Sequence, residues 1–241
     1  MWWIARTWAA PSAEELESDW EKWRAQLDAS AEYPLRFADD EWEKIAAGQV
    51  ARRRERLDGT DRVLAVRWLS SDIDTTWLAM YDPHGAEIHS FLEEELPGST
   101  FDRRVVYQRI DLPWPMAARQ WVVEVRNNLP LIDATGGAVW ERTWTLSDRR
   151  GARAESPDGV WLPVNEGGWF LAESGGGTLL GYHVRTVVGG VVPDEAAVQW
   201  SYATLSSLLN GIADRVPGAV GHYRAGHSPV RRPDGTAIPT R

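Results

Sequence analysis

An apolar stripe near the carboxyl end is the feature that most constrains the fold of this chain. Over 193–216 the large apolar residues follow one another at spacings of 4, 3, 4, 3 and 4, in the series Val198, Tyr202, Leu205, Leu209, Ile212 and Val216. This period predicts a helix with one continuous apolar face, begun by Pro193 and ended by Pro217-Gly218. Burying six such side chains contributes about 10 to 15 kcal/mol, whereas ordering about 24 residues costs roughly 1 to 2 kcal/mol each. The helix therefore needs a partner surface in the rest of the chain.

The segments before this helix offer that surface, because they have the patterns of strands with short connections. Strands are predicted near 104–110, 120–127, 138–147, 159–164, 168–173 and 178–188, with ESGGGT as one turn. The stretch 41–69 predicts further strands that meet at Asp58-Gly59, a strong hairpin signal. Short connections favour an antiparallel sheet over the strand–helix alternation of parallel folds.

Near the amino end, Ser12 and Glu15 form a capping-box pattern ahead of a second apolar stripe, Leu16, Trp20, Trp23 and Leu27. The pattern predicts a helix over 13–28. Its opposite face is acidic, whereas helices that lie on membranes usually carry Lys and Arg there, so packing on the body of the protein is favoured.

Two shorter elements and a tail complete the expected organisation. Ser/Asp caps ahead of Ile73 predict a short helix, and 86–96 is interpreted as a second short helix or a loop. The last residues, 224–241, are rich in Pro, Gly and Arg without periodicity, which predicts a disordered tail. We expect one domain over 12–223, preceded by an extension, 1–11.

Composition excludes several classes of protein. The chain has 241 residues and a net charge of −9, which argues against a general nucleic-acid binder. With no cysteine and no HExxH or similar spacing among five histidines, no metal site and no cofactor are expected. No apolar run reaches the roughly 18 residues of a membrane span, so we expect a cytoplasmic protein with at most transient membrane contact. Arginine outnumbers lysine 24 to 2, which favours a GC-rich, bacterial source.

Two segments carry a family resemblance. The stretch LPWPMAARQWVV, at 112–123, resembles the motif that precedes a central strand in START domains, the lipid-transfer domains related to steroidogenic acute regulatory protein. The stretch GGWFLAESGGGTLLGYHVRTVVGGVVP, at 167–193, is similar to the closing strands of that family. Two departures stand out: Gln120 replaces the motif's Asp, and glycine pairs replace the usual acidic turn before the last helix.

The resemblance implies an α+β fold of the helix-grip type. In this fold a curved antiparallel sheet wraps around a long C-terminal helix, with an N-terminal helix and short inserted helices. It also implies that a monomer binds one hydrophobic small molecule, a lipid, sterol or polyketide-like compound, between sheet and helix. Transport or presentation of that ligand would be the function, and 12–223 would be the START-like domain.

Strand alternation and the stripe of the last helix give candidate ligand-binding residues, for which core packing is the other interpretation. The candidates are Arg119, Trp121, Val123, Val125, Glu141, Trp144, Tyr182, Val184, Arg185, Val198, Tyr202, Leu205 and Leu209. For Arg119 the alternatives are a pairing at the sheet margin or an anchor for a ligand headgroup, because an unpaired buried guanidinium is costly. No catalytic residue and no metal ligand is assigned.

Two other functions remain open at this point. Polyketide cyclases and aromatases belong to the same superfamily, and an enzyme of that type would use Tyr182, His183 or Glu141 as acid or base. Alternatively, the Trp-rich N-terminal helix would be a docking stripe for a protein partner.

Overall fold

A computed structural model describes residues 10–57, 59–81, 91–112, 116–148, 159–190, 193–224 and 230–239, without the side chains of Phe91, Asp194 and Ala197. These residues form six helices: α1 (Ala13–Glu21), α2 (Arg24–Ser30), α3 (Asp39–Ala46), α4 (Ile73–Tyr81), α5 (Leu129–Ala134) and α6 (Asp194–Arg224). None of the described helices is long and apolar enough to span a membrane.

The same residues form one nine-stranded sheet. Its strands are β1 (Ala51–Leu57), β2 (Thr60–Leu69), β3 (Phe91–Glu95), β4 (Arg103–Ile110), β5 (Ala118–Asn127), β6 (Val139–Leu146), β7 (Gly159–Trp161), β8 (Val164–Ser174) and β9 (Gly177–Val187). The order across the sheet is β1-β2-β9-β8-β6-β5-β4-β3, and all these pairs are antiparallel. The short β7 pairs with β5 in parallel. The α+β, helix-grip prediction is confirmed.

Each face of the sheet is covered by different helices. The inner face carries α4 and α6 over a core that includes Leu171, Leu180 and Leu209, each 0% exposed. The outer face carries α1 to α3 over a second core, in which Leu16 and Leu27 are 0% exposed. The apolar stripe of the N-terminal segment therefore packs on the body, as its acidic opposite face predicted.

The hairpin and several strands lie where the patterns placed them. β1 and β2 pair up to Leu57 and Thr60, on either side of the predicted turn, and Gly59 has a φ of 82°. Asp58 lies outside the described residues. A positive φ is the conformation that glycine adopts without steric cost. The fold differs at 86–96, where residues from Phe91 onward form β3 at the sheet edge; 82–90 lie outside the described residues.

Other helix bounds correct the prediction. The helix expected over 13–28 is broken at Lys22-Trp23 into α1 and α2, and the start of 41–69 is α3 rather than strand. The signal for α3 is Glu41, whose carboxylate accepts a hydrogen bond from the Ala38 N–H at 2.9 Å. α5, near 129–134, was not predicted; Asn128 caps it by accepting from the Leu131 N–H at 3.2 Å.

The last helix continues through Pro217 to Arg224 instead of ending at Val216. Proline inside a helix costs roughly 3 kcal/mol because it lacks an N–H and crowds the preceding turn. The turns beyond it remain helical because they pack: Ala219 is 2% exposed, and the Tyr223 hydroxyl donates to the Val230 carbonyl at 3.1 Å.

Part of the expected disordered tail is packed. Residues 230–239 form a small hairpin through an Arg231–Ala237 bridge, with Ile238 5% exposed in the inner core. The Trp77 indole N–H donates to the Arg231 carbonyl at 2.8 Å, and Arg232 bonds Asp74 at 2.7 Å. These long-range contacts lack periodicity, so sequence pattern alone did not reveal them.

Candidate ligand-binding site

Three aromatic side chains form a continuous surface on the inner face, which we call the aromatic floor: Trp144 on β6, Trp169 on β8 and Tyr182 on β9. The ring centroids of Trp144 and Tyr182 are 5.7 Å apart, and those of Trp169 and Tyr182 are 4.6 Å apart. All three side chains are half-buried, although Leu171 and Leu180 on the same face are fully buried. The helices therefore cover the inner face incompletely at the aromatic floor.

Tyr182 is the central ring of the aromatic floor. Burial raises the pKa of its hydroxyl. Part of the side chain is nevertheless accessible, and the hydroxyl has no hydrogen-bond partner among the described residues. A buried polar group normally finds a partner, so an unsatisfied hydroxyl that is still accessible is available to a ligand.

Gly167 explains how Trp144 reaches this position. A Cβ atom on Gly167 would lie 2.5 Å from the Trp144 ring carbon Cζ2 and 2.3 Å from the His183 carbonyl oxygen. Only a residue without a side chain lets the indole lie against β8 here. The indole N–H donates to the Asn165 side-chain oxygen at 3.1 Å, which fixes the ring orientation.

An apolar layer extends from the floor across β5. Trp121, Val123 and Val125 share the inner face of β5, as alternation predicted, and pack with Val106. The Trp121 indole N–H donates to the Gln108 side-chain oxygen at 2.7 Å. Trp144 contacts both this layer and the core under α6, so the floor joins the two.

Arg119 lies at the margin of this layer and is 3% exposed. Its guanidinium donates to the Ala117 carbonyl at 2.6 Å and to the Gly189 carbonyl at 3.3 Å. These two bonds join the start of β5 to the chain after β9. Its Nε has no partner, and no described carboxylate pairs with it, which matches the presence of Gln120 where the resembled motif has an acid.

The predicted residues of α6 pack mainly as core. Val198 is 7% exposed, Leu205 2% and Leu209 0%, and all three contact the inner core together with Val184. Tyr202 is held against β1, because the Arg52 guanidinium lies 4.7 Å from its ring centroid.

Glu141 and Arg185 lie on the outer face, so the structure does not bring these two candidates to the floor. Glu141 is 1% exposed and accepts hydrogen bonds from the backbone N–H groups of Glu32 and Tyr33, at 2.9 and 3.0 Å, and from the Asn128 amide at 2.6 Å. Burial raises the pKa of Glu141 despite these bonds. Arg185 donates to Glu166 at 2.9 Å. Alternation puts both residues opposite the floor.

His183 also lies on the outer face, 4% exposed, with its ring centroid 4.4 Å from that of Tyr33. Burial, with the nearby Arg62 charge, lowers the pKa of His183 to about 3. Of the three groups considered as acid or base in a cyclase, only Tyr182 lies on the inner face, as part of the floor.

Two residues at or beside the floor, Trp169 and Arg142, were not among the predicted site residues. Trp169 shares its face with Leu171 by alternation, and the adjacent Gly167-Gly168 pair was the available signal for large neighbouring rings. Arg142 is 8% exposed on the inner face of β6. Its pattern was ambiguous, because both faces of β6 carry one charged residue.

Two surface pockets lie away from the floor. One, of about 560 Å³, lies between α3 and β1 and is lined partly by Lys44 and Arg53. The other, of about 330 Å³, lies beside the 230–239 hairpin and is lined partly by Asp74 and Arg232. Charged side chains line much of both pockets and are largely paired, as in Lys44–Asp40 at 2.6 Å, and each pocket has one aromatic residue, Phe37 or Trp140.

An aromatic inner floor beneath helices on a curved antiparallel sheet defines a helix-grip protein with a candidate site for an apolar ligand. No protein-family model matches the sequence, and no curated protein is recognisably similar to it. Solved structures are similar in fold. Human STARD10 has 12% identity and a TM-score of 0.60, over 88% of this chain and 83% of that one.

Two further structures support the same fold. Human StAR-related lipid transfer protein 5 has 12% identity and a TM-score of 0.57, over 85% of this chain and 96% of that one. A STAR-related lipid transfer protein from Xanthomonas axonopodis has 16% identity and a TM-score of 0.55, over 70% of this chain and 93% of that one. The chain therefore has the fold of START lipid-transfer domains, as the two sequence motifs implied.

Proposed function

We propose that this protein binds one hydrophobic small molecule, a lipid, sterol or polyketide-like compound, against the aromatic floor, and carries or presents it. The observation that carries the proposal is the position of Tyr182, which is half-buried between the rings of Trp144 and Trp169 and whose hydroxyl has no partner among the described residues. Aromatic walls with few polar groups are typical of small-molecule sites.

The fold supports the same proposal. The similar structures include proteins named for lipid transfer, and the inner face of the sheet here carries an apolar layer of Trp121, Val123 and Val125 beside the floor. The buried residues of α6 would then hold the helix on the sheet rather than contact the ligand. A net charge of −9 argues for a small-molecule partner over a nucleic acid.

Native mass spectrometry of the purified protein, paired with organic extraction, tests this proposal. We expect one apolar molecule per chain, or stoichiometric uptake of the neutral dye N-phenyl-1-naphthylamine by protein stripped of lipid. Trp169→Ala should weaken dye binding about 10-fold, since it removes a large part of the apolar surface.

Trp200→Ala is the matched control, because Trp200 lies on α6 and is 62% exposed to solvent. Dye binding should be unchanged in this variant. A protein that retains no apolar molecule and takes up no dye would refute the proposal, and so would equal losses in the two variants.

A further inference from the structure

A buried arginine on the inner face has no counter-charge among the described residues. Arg142 is 8% exposed, and its guanidinium carbon lies 4.5 Å from the ring centroid of Tyr81 and 5.7 Å from that of Trp77. These cation–π contacts and a hydrogen bond to the Tyr81 hydroxyl hold the guanidinium in place. A guanidinium has five N–H donors, so further donors remain for a ligand.

No carboxylate pairs with Arg142 in the described parts of the chain. The residues directly opposite it are Trp169 on β8 and Asn127 on β5, both uncharged. Arg104, a charged neighbour on the same side of the sheet, is neutralised by Glu95 at 2.8 Å. On the outer face, the equally buried Arg62 bonds Glu166 at 2.9 Å. Arg142 thus differs from these arginines in lacking an anionic partner.

Burial of a guanidinium without a counter-charge is unfavourable, and aromatic contacts offset only part of the cost. A carboxylate or phosphate restores the balance, since two parallel N–H···O bonds match the planar fork of arginine. The side-chain oxygen of Asn127, which lies directly opposite Arg142 on β5, is also buried without a hydrogen-bond partner.

The position of Arg142 relates it to the aromatic floor. Arg142, Trp169 and Tyr182 are consecutive in one row across β6, β8 and β9. Two strand spacings separate the first and last Cα atoms by about 10 Å. A molecule whose apolar body lies on Trp169 would therefore have one end at the guanidinium and the other near the Tyr182 hydroxyl.

We infer that the ligand of this site is an amphiphile with a single oxyanion group, a carboxylate or a phosphate, bound by Arg142. The inference rests on the proposed function, because it assigns the ligand class of the same site. It distinguishes such a ligand from neutral sterols and from esters of the same chain length.

Displacement of bound N-phenyl-1-naphthylamine tests the inference separately from the proposed function. Oleate, oleyl phosphate and methyl oleate compete for the dye; they share an eighteen-carbon chain of about the same length and differ in charge. At least one of the anions should displace the dye at a concentration about 10-fold or more below that of the ester. Stronger displacement by oleate identifies a carboxylate ligand, and stronger displacement by oleyl phosphate identifies a phosphate ligand.

Variants locate the preference. Arg142→Met should weaken binding of the preferred anion about 10-fold or more and change binding of methyl oleate by no more than about 2-fold. Arg142→Lys should keep part of the preference for the anion over the ester. Arg126→Met is the control, because Arg126 is exposed on the outer face and bonds Glu124 at 2.6 Å.

The outcomes separate cleanly. If the wild-type protein binds the dye but prefers neither anion to the ester, the inference is wrong and the proposed function stands. If Arg142→Met keeps the full preference for the anion over the ester, the inference is also wrong. If the protein takes up no dye and retains no apolar molecule, the proposed function fails, and the inference that rests on it fails with it.

Discussion

The polar side chains on the two faces of the sheet differ in whether they have partners within the chain. On the outer face, Glu141 accepts three hydrogen bonds within the chain, and Arg62 and Arg185 share Glu166. On the inner face, the Tyr182 hydroxyl has no described partner and Arg142 has no described carboxylate. Both environments are protein interior, so the difference lies in whether the chain itself satisfies the polar groups.

Satisfied buried groups stabilise a fold, whereas unsatisfied ones cost free energy that only another molecule can recover. The outer face is therefore interpreted as structural and the inner face as the binding surface. The outer face has exceptions, since His183 Nδ1, Trp20 Nε1 and Arg62 Nε lack partners. The low pKa of His183 keeps its ring neutral, which limits the cost, and Arg62 still bonds Glu166. The following changes test this difference, from the largest expected effect to the smallest.

Trp20→Ala should have the largest effect on stability. Trp20 is 2% exposed, and its ring lies 5.1 Å from both Phe37 and Phe170 on the outer face. Removing it leaves a large cavity, and the free energy of unfolding should fall by about 3 to 5 kcal/mol in urea denaturation. A loss below about 1 kcal/mol would mean that the N-terminal helices are not part of the core, and would revive the docking-stripe alternative.

Glu141→Ala should lower the free energy of unfolding by about 3 kcal/mol, because three buried N–H groups lose their acceptor. Glu141→Gln, which keeps one acceptor, should lose less. Since burial raises the folded-state pKa of Glu141, wild-type stability relative to Glu141→Gln should decline as pH rises above the unfolded pKa. Unchanged stability in Glu141→Ala would show that these bonds do not hold the outer face together.

His183 should make the protein sensitive to acid. Its folded pKa of about 3 is below the usual value of 6.5, so the unfolded chain binds the proton more readily. Stability should fall as pH drops below about 6.5, with a contribution that approaches about 1.4 kcal/mol per pH unit. Unfolding measured between about pH 7 and pH 4.5 should show a shallower slope in His183→Leu; equal slopes would contradict a buried, neutral His183.

Tyr107→Phe and Tyr182→Phe are the matched pair with the smallest effects. The Tyr107 hydroxyl donates to Gln120 at 3.1 Å on the outer face, so its removal should cost about 1 kcal/mol. The Tyr182 hydroxyl has no described partner, so its removal should change stability by less than about 0.5 kcal/mol in ligand-free protein. The difference between faces is absent if both variants lose the same amount.

Much of the fold could be predicted because its signals are local. Asp58-Gly59 indicates the first hairpin, and alternation places Trp121 and Tyr182 on the inner face. The acidic capping pattern at Ser12 likewise identified the start of α1.

The site itself was less predictable because it depends on distant contacts. The pattern of β6 did not determine which face Glu141 occupies. Its hydrogen bonds come from distant residues such as the backbone N–H of Glu32, 109 residues earlier, which no local pattern reveals. Arg142 lies next to Trp169 of the floor only because β6 and β8 pair in this register. Pro217 was expected to end α6, and the packing of Ala219 beyond it could not be derived from the local pattern.

A crystal structure of the protein with oleate or a co-purified apolar molecule tests the central claim most directly. We predict ligand density against Trp169 and Tyr182 on the inner face, with the outer face unchanged. Density confined to the pocket between α3 and β1, or to the pocket beside the 230–239 hairpin, would contradict the assignment of binding to the inner face.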